Sequence, residues 1–338
     1  MKTSLPLRLI MLVPVLAASV LLALVLGSVP LPPKDVLVAL FASVSPGEEF
    51  SLATVIVQQV RLPRVLTAAG AGGALALAGL LMQTVFRNPL AGPGVLGVNA
   101  GAGLGVAFVI LAGVGAGLAA PTVTAAIAGA MAVLVVVMIV HQVVQQPVVV
   151  LVLGLLFGYA ASAITTILLA GSAVDGLERY VQWSFGSFAL APGAGPLTLL
   201  LATLVITVPL TVVAPRLDAL LLGSSYAESL GIHAQRLERT LLLTAGVLTG
   251  IVTALTGPIS FLGVAVPHIA RGYLHTSRHR LLVPTTVLIG AILAILADLL
   301  ARLPGSEATL PLNAVLAVLG VPVVLIVVLR PRQGGVQT

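Results

Sequence analysis

Residues 61–105 read RLPRVLTAAGAGGALALAGLLMQTVFRNPLAGPGVLGVNAGAGLG. Arg61 and Arg64 stand one helical turn apart, and no charge follows until Arg87. Between them lies a run of small and apolar residues long enough to cross a hydrocarbon core of about 30 Å as a helix. Gly97, Gly101 and Gly105 then recur every four positions, and Gly72, Ala76 and Leu80 do the same with Gly79 beside them. Faces of small residues let helix backbones approach closely, so tight packing is the role expected of these glycines.

The rest of the chain repeats the pattern. Its 338 residues are 59% hydrophobic and 8% charged, and the mean hydropathy is +1.19, which leaves too little polar surface for a water-soluble fold. Apolar stretches near 20 residues, rather than short alternating strands, predict an all-α integral membrane protein. Breaks at Pro, Gly and charge give about ten transmembrane helices: 8–29, 62–84, 92–112, 119–140, 147–170, 194–214, 238–256, 259–274, 283–303 and 311–329. The first apolar run is longer than a signal-peptide core and reads as a retained span. All 338 residues form one transmembrane domain on this reading.

The net charge of +6 does not point to nucleic acid, because the cations are scattered between apolar segments rather than gathered in a stripe. They sort by topology instead. With both termini cytoplasmic, Lys2, Arg8, Arg87, Arg216, Arg236, Arg239, Arg271, Arg278, Arg280, Arg330 and Arg332 fall inside. Only Lys34, Arg61, Arg64, Arg179 and Arg302 fall outside. Asp35, Glu48, Glu49, Asp175, Glu178, Asp298 and Glu307 fall outside or near the outer face.

Two connections are longer than simple loops. Residues 171–193, GSAVDGLERYVQWSFGSFALAPG, form an outer segment with Trp183 as an interfacial anchor. Residues 215–240, PRLDALLLGSSYAESLGIHAQRLERT, read as two short helices on the inner side, broken at Gly223-Ser224-Ser225 and Gly231. A surface meant only for water has no use for Leu220, Leu221 and Leu222 in a row.

The chemistry that is missing narrows the function. Asp298 is the one acid placed within a span, four residues before Arg302, so an intrahelical ion pair is its simplest explanation. His141, His233, His268, His275 and His279 are dispersed and no HExxH occurs, so no metal site or cofactor is expected. Lys2 and Lys34 are the only lysines and neither follows glycine, so a phosphate-binding GxxxxGK[ST] loop is absent. A transporter of this composition conducts passively or takes its energy from a partner.

Residues 61–105, GPISFLGVAVPHIAR at 257–271 and HRLLVPTTVLIGAILAILADLLAR at 279–302 together resemble the iron-siderophore, haem and cobalamin permease family of ABC importers. The similarity covers essentially the whole chain. It implies a ten-helix permease of the type II importer fold in the bacterial inner membrane, working as a homo- or heterodimer. It also implies two ATPase subunits bound inside and a substrate-binding protein docked outside. Carried onto this chain, coupling to the ATPase falls to Leu220, Leu221, Ser224, Ala227, Leu230 and Gly231 within the 215–238 connection. The pore and its gate fall to Phe157, Ser162, Trp183, Phe261, Pro267 and His268, with 171–193 as the gate segment. Asn88 and Pro89 are structural, as is Asp298. Arg61, Arg64 and Arg302 are expected to receive carboxylates of the binding protein, the alternative being that Arg61 and Arg64 anchor a helix to lipid phosphates. Gly257-Pro258-Ile259 leans toward an iron chelate, a ferric siderophore or haem, over cobalamin. An ion-coupled secondary transporter and a flux-free scaffold are the rivals, and neither has a use for the inner connection. One departure stands out: relatives commonly carry Glu-Leu-Pro and a glycine before the last span, where this chain has Leu310, Pro311, Leu312 and Asn313.

Overall fold

A computed structural model describes residues 5–27, 29–42, 51–115, 120–144, 146–302 and 310–329. The charges assigned at Lys2, Glu48, Glu49, Glu307, Arg330 and Arg332, and both termini, lie outside the described residues. Among those described, the secondary structure is helical without strands. In chain order the helices are α1 (Leu5–Val25), α2 (Pro33–Phe41), α3 (Leu52–Val55), α4 (Leu62–Val85), α5 (Val98–Ile110), α6 (Pro121–Val143) and α7 (Pro147–Ala170). They continue with α8 (Val174–Ser184), α9 (Gly195–Val212), α10 (Ala214–Leu221), α11 (Ser224–Ser229) and α12 (Ala234–Thr256). The chain closes with α13 (Leu262–Leu274), α14 (His279–Ala301) and α15 (Leu312–Leu329).

Each stretch expected to span coincides with one helix. Among the described residues, seven helical stretches are long and apolar enough to cross a membrane: those of α1, α3 through α4, α6, α7, α9, α12 and α14. The thirteen residues of α5, and likewise of α13, reach only about 20 Å at 1.5 Å per residue. The expected start of the second span at Leu62 is corrected: the helix runs unbroken from Leu52 to Val85 through a π-helical turn at Ile56–Arg61. Pro63 has no amide to donate, and the wide π turn just before it absorbs the missing backbone bond. Nor was α2 expected. Gln58 holds it in place, its side-chain amide donating to the Ala39 and Ala42 carbonyls at 2.8 and 2.9 Å.

The bundle is built around α4, whose residues from Gly70 to Val85 are all buried. It packs against α9, α12, α13 and α14. Lipid tails are as apolar as leucine, so helices associate here through close van der Waals contact rather than by escaping water. Close approaches join α4 to two neighbours: a Cβ on Gly79 would run into the Gly263 carbonyl of α13, and a Cβ on Gly72 would meet the Gly290 carbonyl of α14, as one on Gly290 would meet the Gly72 carbonyl. Gly101 and Gly129 make the same reciprocal approach between α5 and α6. The small-residue faces are therefore packing faces.

Gly290→Leu is expected to force α4 and α14 apart. It should destabilise the fold by about 1–3 kcal/mol or more and shrink the monodisperse peak in detergent size-exclusion chromatography.

Candidate transport path and coupling surface

The pair α4 and α14 is antiparallel, and polar clusters mark its two ends. At the first, Arg64 grips Asp298, with Nε at 2.9 and 3.0 Å from the two carboxylate oxygens and Nη2 at 2.8 Å from Oδ1. Arg302 closes on the other oxygen at 3.0 Å, the (i, i+4) contact expected from the sequence. Asp298 is buried, so the two cations satisfy a carboxylate that would otherwise be costly there. The sequence paired Asp298 with its helical neighbour and missed the stronger partner across the helix interface.

Arg61 is turned away from the surface. It is 3% exposed, and its guanidinium donates to the carbonyls of Leu24 at 2.6 Å, Val25 at 2.9 Å and Val29. The last carbonyls of a helix lack intrahelical donors, and five fixed N–H groups are well suited to filling them. The expected roles of Arg61, as a docking cation or a lipid anchor, are corrected: it ties the end of α1 to the start of α4 and has no face left for a partner. Arg64 keeps a little exposure and, with Gln182, Phe185, Ser187 and Leu310, lines a cavity of about 400 Å³ beside the 171–193 segment.

That segment forms the amphipathic α8 and a return loop. Trp183 is half-buried with its ring 5.9 Å from Tyr180. Burial raises the Tyr180 phenol above its ordinary value, with the nearby Thr165 hydroxyl of α7 acting in the opposite direction. The return loop is clipped by Asn313, the residue at which the sequence departs from its relatives' pattern. Its side chain donates to the Pro258 carbonyl at 2.6 Å and the Ser184 carbonyl at 3.4 Å, and accepts from the Ser260 amide at 3.0 Å. Its own amide donates to the Phe185 carbonyl. One amide side chain thus joins α8, the 257–260 loop and α15.

On α7, Ser162 is exposed and shares a helical face with Tyr159 and Thr166, a polar stripe on an otherwise apolar helix. Phe157 is only half-exposed and packs on the core. Phe261 has φ +66 and meets Gly320 of α15. Pro267 is buried within α13, which corrects its expected place on a pore wall. His268 donates from Nε2 to the Pro89 carbonyl at 2.7 Å. Asn88 accepts from the Leu90 amide at 2.9 Å and shapes the turn that presents that carbonyl.

The other end of α4 and α14 carries a second cluster that no sequence motif announced. Asp218 of α10 accepts from the His279 amide at 2.9 Å and from its Nδ1 at 2.7 Å, while His279 Nε2 lies 2.9 Å from the Thr84 hydroxyl. Arg271 donates to Gln83 at 2.6 Å. The inner connection is thereby bolted to both central helices. Its orientation corrects two expected contacts: Leu220 and Ala227 are buried against the bundle and cannot meet a partner. Leu221 is half-buried and Ser224 donates to Glu238 at 2.9 Å. Leu230 is exposed and Gly231 turns in the left-handed region at φ +76. The outward apolar face consists of Leu222 at 70%, Tyr226 at 46% and Leu230 at 57% exposure.

A profile of the FecCD transport family matches residues 15–330. The chain belongs to the FecCD transport family. The vitamin B12 import system permease protein BtuC of Citrobacter koseri is 33% identical over 291 residues, covering 86% of this chain and 88% of that protein. Its namesake from Klebsiella pneumoniae subsp. pneumoniae is 33% identical over 293 residues with the same coverage. A solved structure, described as an inward-facing conformation of a protein assigned to the metal-chelate type of ABC transporter, superposes with a TM-score of 0.81 at 28% identity. It covers 97% of this chain and is itself covered completely. This FecCD member is accordingly a multi-pass membrane permease of an ABC importer, a transport subunit rather than an enzyme.

Asp298→Asn would leave Arg64 and Arg302 facing each other without their anion. A loss of about 3–5 kcal/mol is expected from stripping a buried cluster of its counter-charge, read as a lower melting temperature in detergent. Arg64→Gln, which keeps the Asp298–Arg302 pair, should cost less.

Proposed function

We propose that this permease forms half of a dimeric importer for a metal–organic chelate, powered by an ATPase subunit seated on the Leu222–Tyr226–Leu230 face. That face is the observation that carries the reading. Three large apolar side chains stand exposed on a short two-helix connection fixed to the core through Asp218 and His279, as a surface for a protein partner requires. The connection then lies on the cytoplasmic side. Ten spans follow if α5, α13 and α15 cross with help from their flanking turns. The Arg64–Asp298–Arg302 end then faces outward, where Arg64 and Arg302 are the cations left to meet a binding protein.

The polar stripe of Tyr159, Ser162 and Thr166 on exposed α7 supports a pore at the contact between two permease subunits. Two solutes fit. An iron chelate is favoured by Gly257-Pro258-Ile259, and cobalamin by relatives named as vitamin B12 permeases at 33% identity. Both are bulky metal chelates, in keeping with the solved structure's described type.

Proteoliposomes holding the permease and its ATPase should take up one of three labelled solutes, ferric siderophore, haem or cyanocobalamin, in an ATP-dependent manner. Leu222→Asp with Tyr226→Asp is expected to abolish uptake and weaken retention of the ATPase by roughly 30-fold, about 2 kcal/mol for loss of a buried aromatic anchor. Retained uptake with the double variant would remove the coupling face from the mechanism.

Because the sequence contains no cysteine, single thiols report without background. A thiolate forms only where water reaches it. Ser162→Cys is expected to react with a membrane-impermeant thiosulfonate, whereas Val205→Cys on the apolar face of α9 should not. Equal protection of both would place α7 against lipid.

A further inference from the structure

The corner between α9 and α10 and the turn between α11 and α12 enclose a cavity of about 560 Å³. Its walls are of two kinds. Val213, Leu230, Ile232 and Leu237 are apolar, while Arg216 and Arg236 bring two cations from different helices beside the polar His233 and Thr240, and among the described residues no carboxylate lines it. Both arginines are exposed, and among the described residues neither makes a side-chain hydrogen bond or ion pair. Arg61, Arg64, Arg271 and Arg302, by contrast, are all held by partners within the chain.

The cavity lies directly below the end of α9, a helix fit to span. Val205, Val208 and Val212 are 68%, 65% and 74% exposed and stand at i, i+3 and i+7, a hydrocarbon-facing stripe that descends to the cavity mouth. On α12, Thr240 lines the cavity and exposed Leu243 continues upward one turn later. A ligand that fills both parts must be anionic at one end and hydrocarbon at the other. A partner protein's carboxylate would satisfy the arginines but has no use for an apolar trough continuing along a spanning helix.

We propose that this cavity binds the headgroup of an anionic phospholipid. Arg216 and Arg236 hold the phosphate, and an acyl chain lies along Val212, Val208 and Val205. Guanidinium groups grip phosphate oxygens through paired N–H bonds, and basic side chains at a membrane surface draw anionic lipid. Because Leu230 belongs to both the cavity and the coupling face, a bound lipid would brace the corner on which an ATPase subunit is proposed to sit. The site does not depend on which chelate is carried.

Native mass spectrometry of the delipidated permease with dioleoyl phosphatidylglycerol or dioleoyl phosphatidylcholine tests this. Two interfacial arginines should give the anionic lipid a preference of roughly 30-fold. Arg216→Gln with Arg236→Gln should erase it, the Arg→Lys pair should keep part of it, and Arg278→Gln with Arg280→Gln should leave it intact. The proposal falls if the two lipids bind alike or if the glutamine pair keeps the preference. It also falls if inorganic phosphate displaces the lipid headgroup fully, which would mark a free-anion site. Loss of the ATPase from the glutamine pair with lipid binding unchanged would assign the arginines to that partner instead.

Discussion

The constraint on which the rest depends is that α4 must be enclosed without a hydrophobic force to enclose it. In lipid, burying an apolar helix against protein gains little unless the backbones come closer than lipid can pack. The run from Gly70 to Gly79 meets that demand largely with alanine and glycine, with Gly72 set against Gly290 of α14 and Gly79 against Gly263 of α13. Once α4 and α14 lie backbone to backbone, α9, α12 and α13 have a cylinder to pack around. The outer helices can then stay largely apolar on their outward sides, as α6 and α9 do, because those sides need not be covered by the bundle.

The charges serve the same enclosure. Three arginines near one end suggest a docking patch when read along the sequence, since charge invites the thought of a partner. In the fold, Arg61 is spent on the carbonyl end of α1, and Arg64 and Arg302 share one buried aspartate. Burying Asp298 with a single cation would leave part of its carboxylate unsatisfied, whereas two cations from two helices satisfy it and lock their register. A charge at a helix end in a membrane protein can thus be internal bolting as readily as an external handle.

How far the sequence could be read follows from these same forces. The spanning helices were legible because each is a separate apolar run, and the inner connection because three consecutive leucines had no reason to face water. The π turn and α2 were not legible, since Pro63 and Pro33 look like ordinary helix starts and only the tertiary bonds of Gln58 show otherwise. Within the 215–238 connection, composition marked an apolar stretch but not which of its leucines faces outward. Leu220 and Leu222 have the same chemistry, and only the bond from Asp218 to His279 decides which is 1% and which 70% exposed. Asn313 was visible as a departure from the relatives, but its threefold clip depends on loops far apart in sequence.

These attachments divide the molecule into parts that must move together and parts that need not. Arg64 with Asp298 at one end, and Thr84 with His279 at the other, hold α4 and α14 as one body. Asp218 adds the inner connection to that body, so a displacement applied to α10 is delivered to α14 without loss in a flexible loop. The 171–193 segment is attached elsewhere. Its return loop is bonded through Asn313 and the Ser187 amide to the end of α12, the 257–260 loop and α15. The hydrogen bonds that hold the α4–α14 pair are thus distinct from those that hold the α8 loop, and the two sets meet through α12 and α15. Under the proposed function, a push on α10 would reach α14 through Asp218 and His279, and the 171–193 segment only at one remove, through α12, α13 and α15.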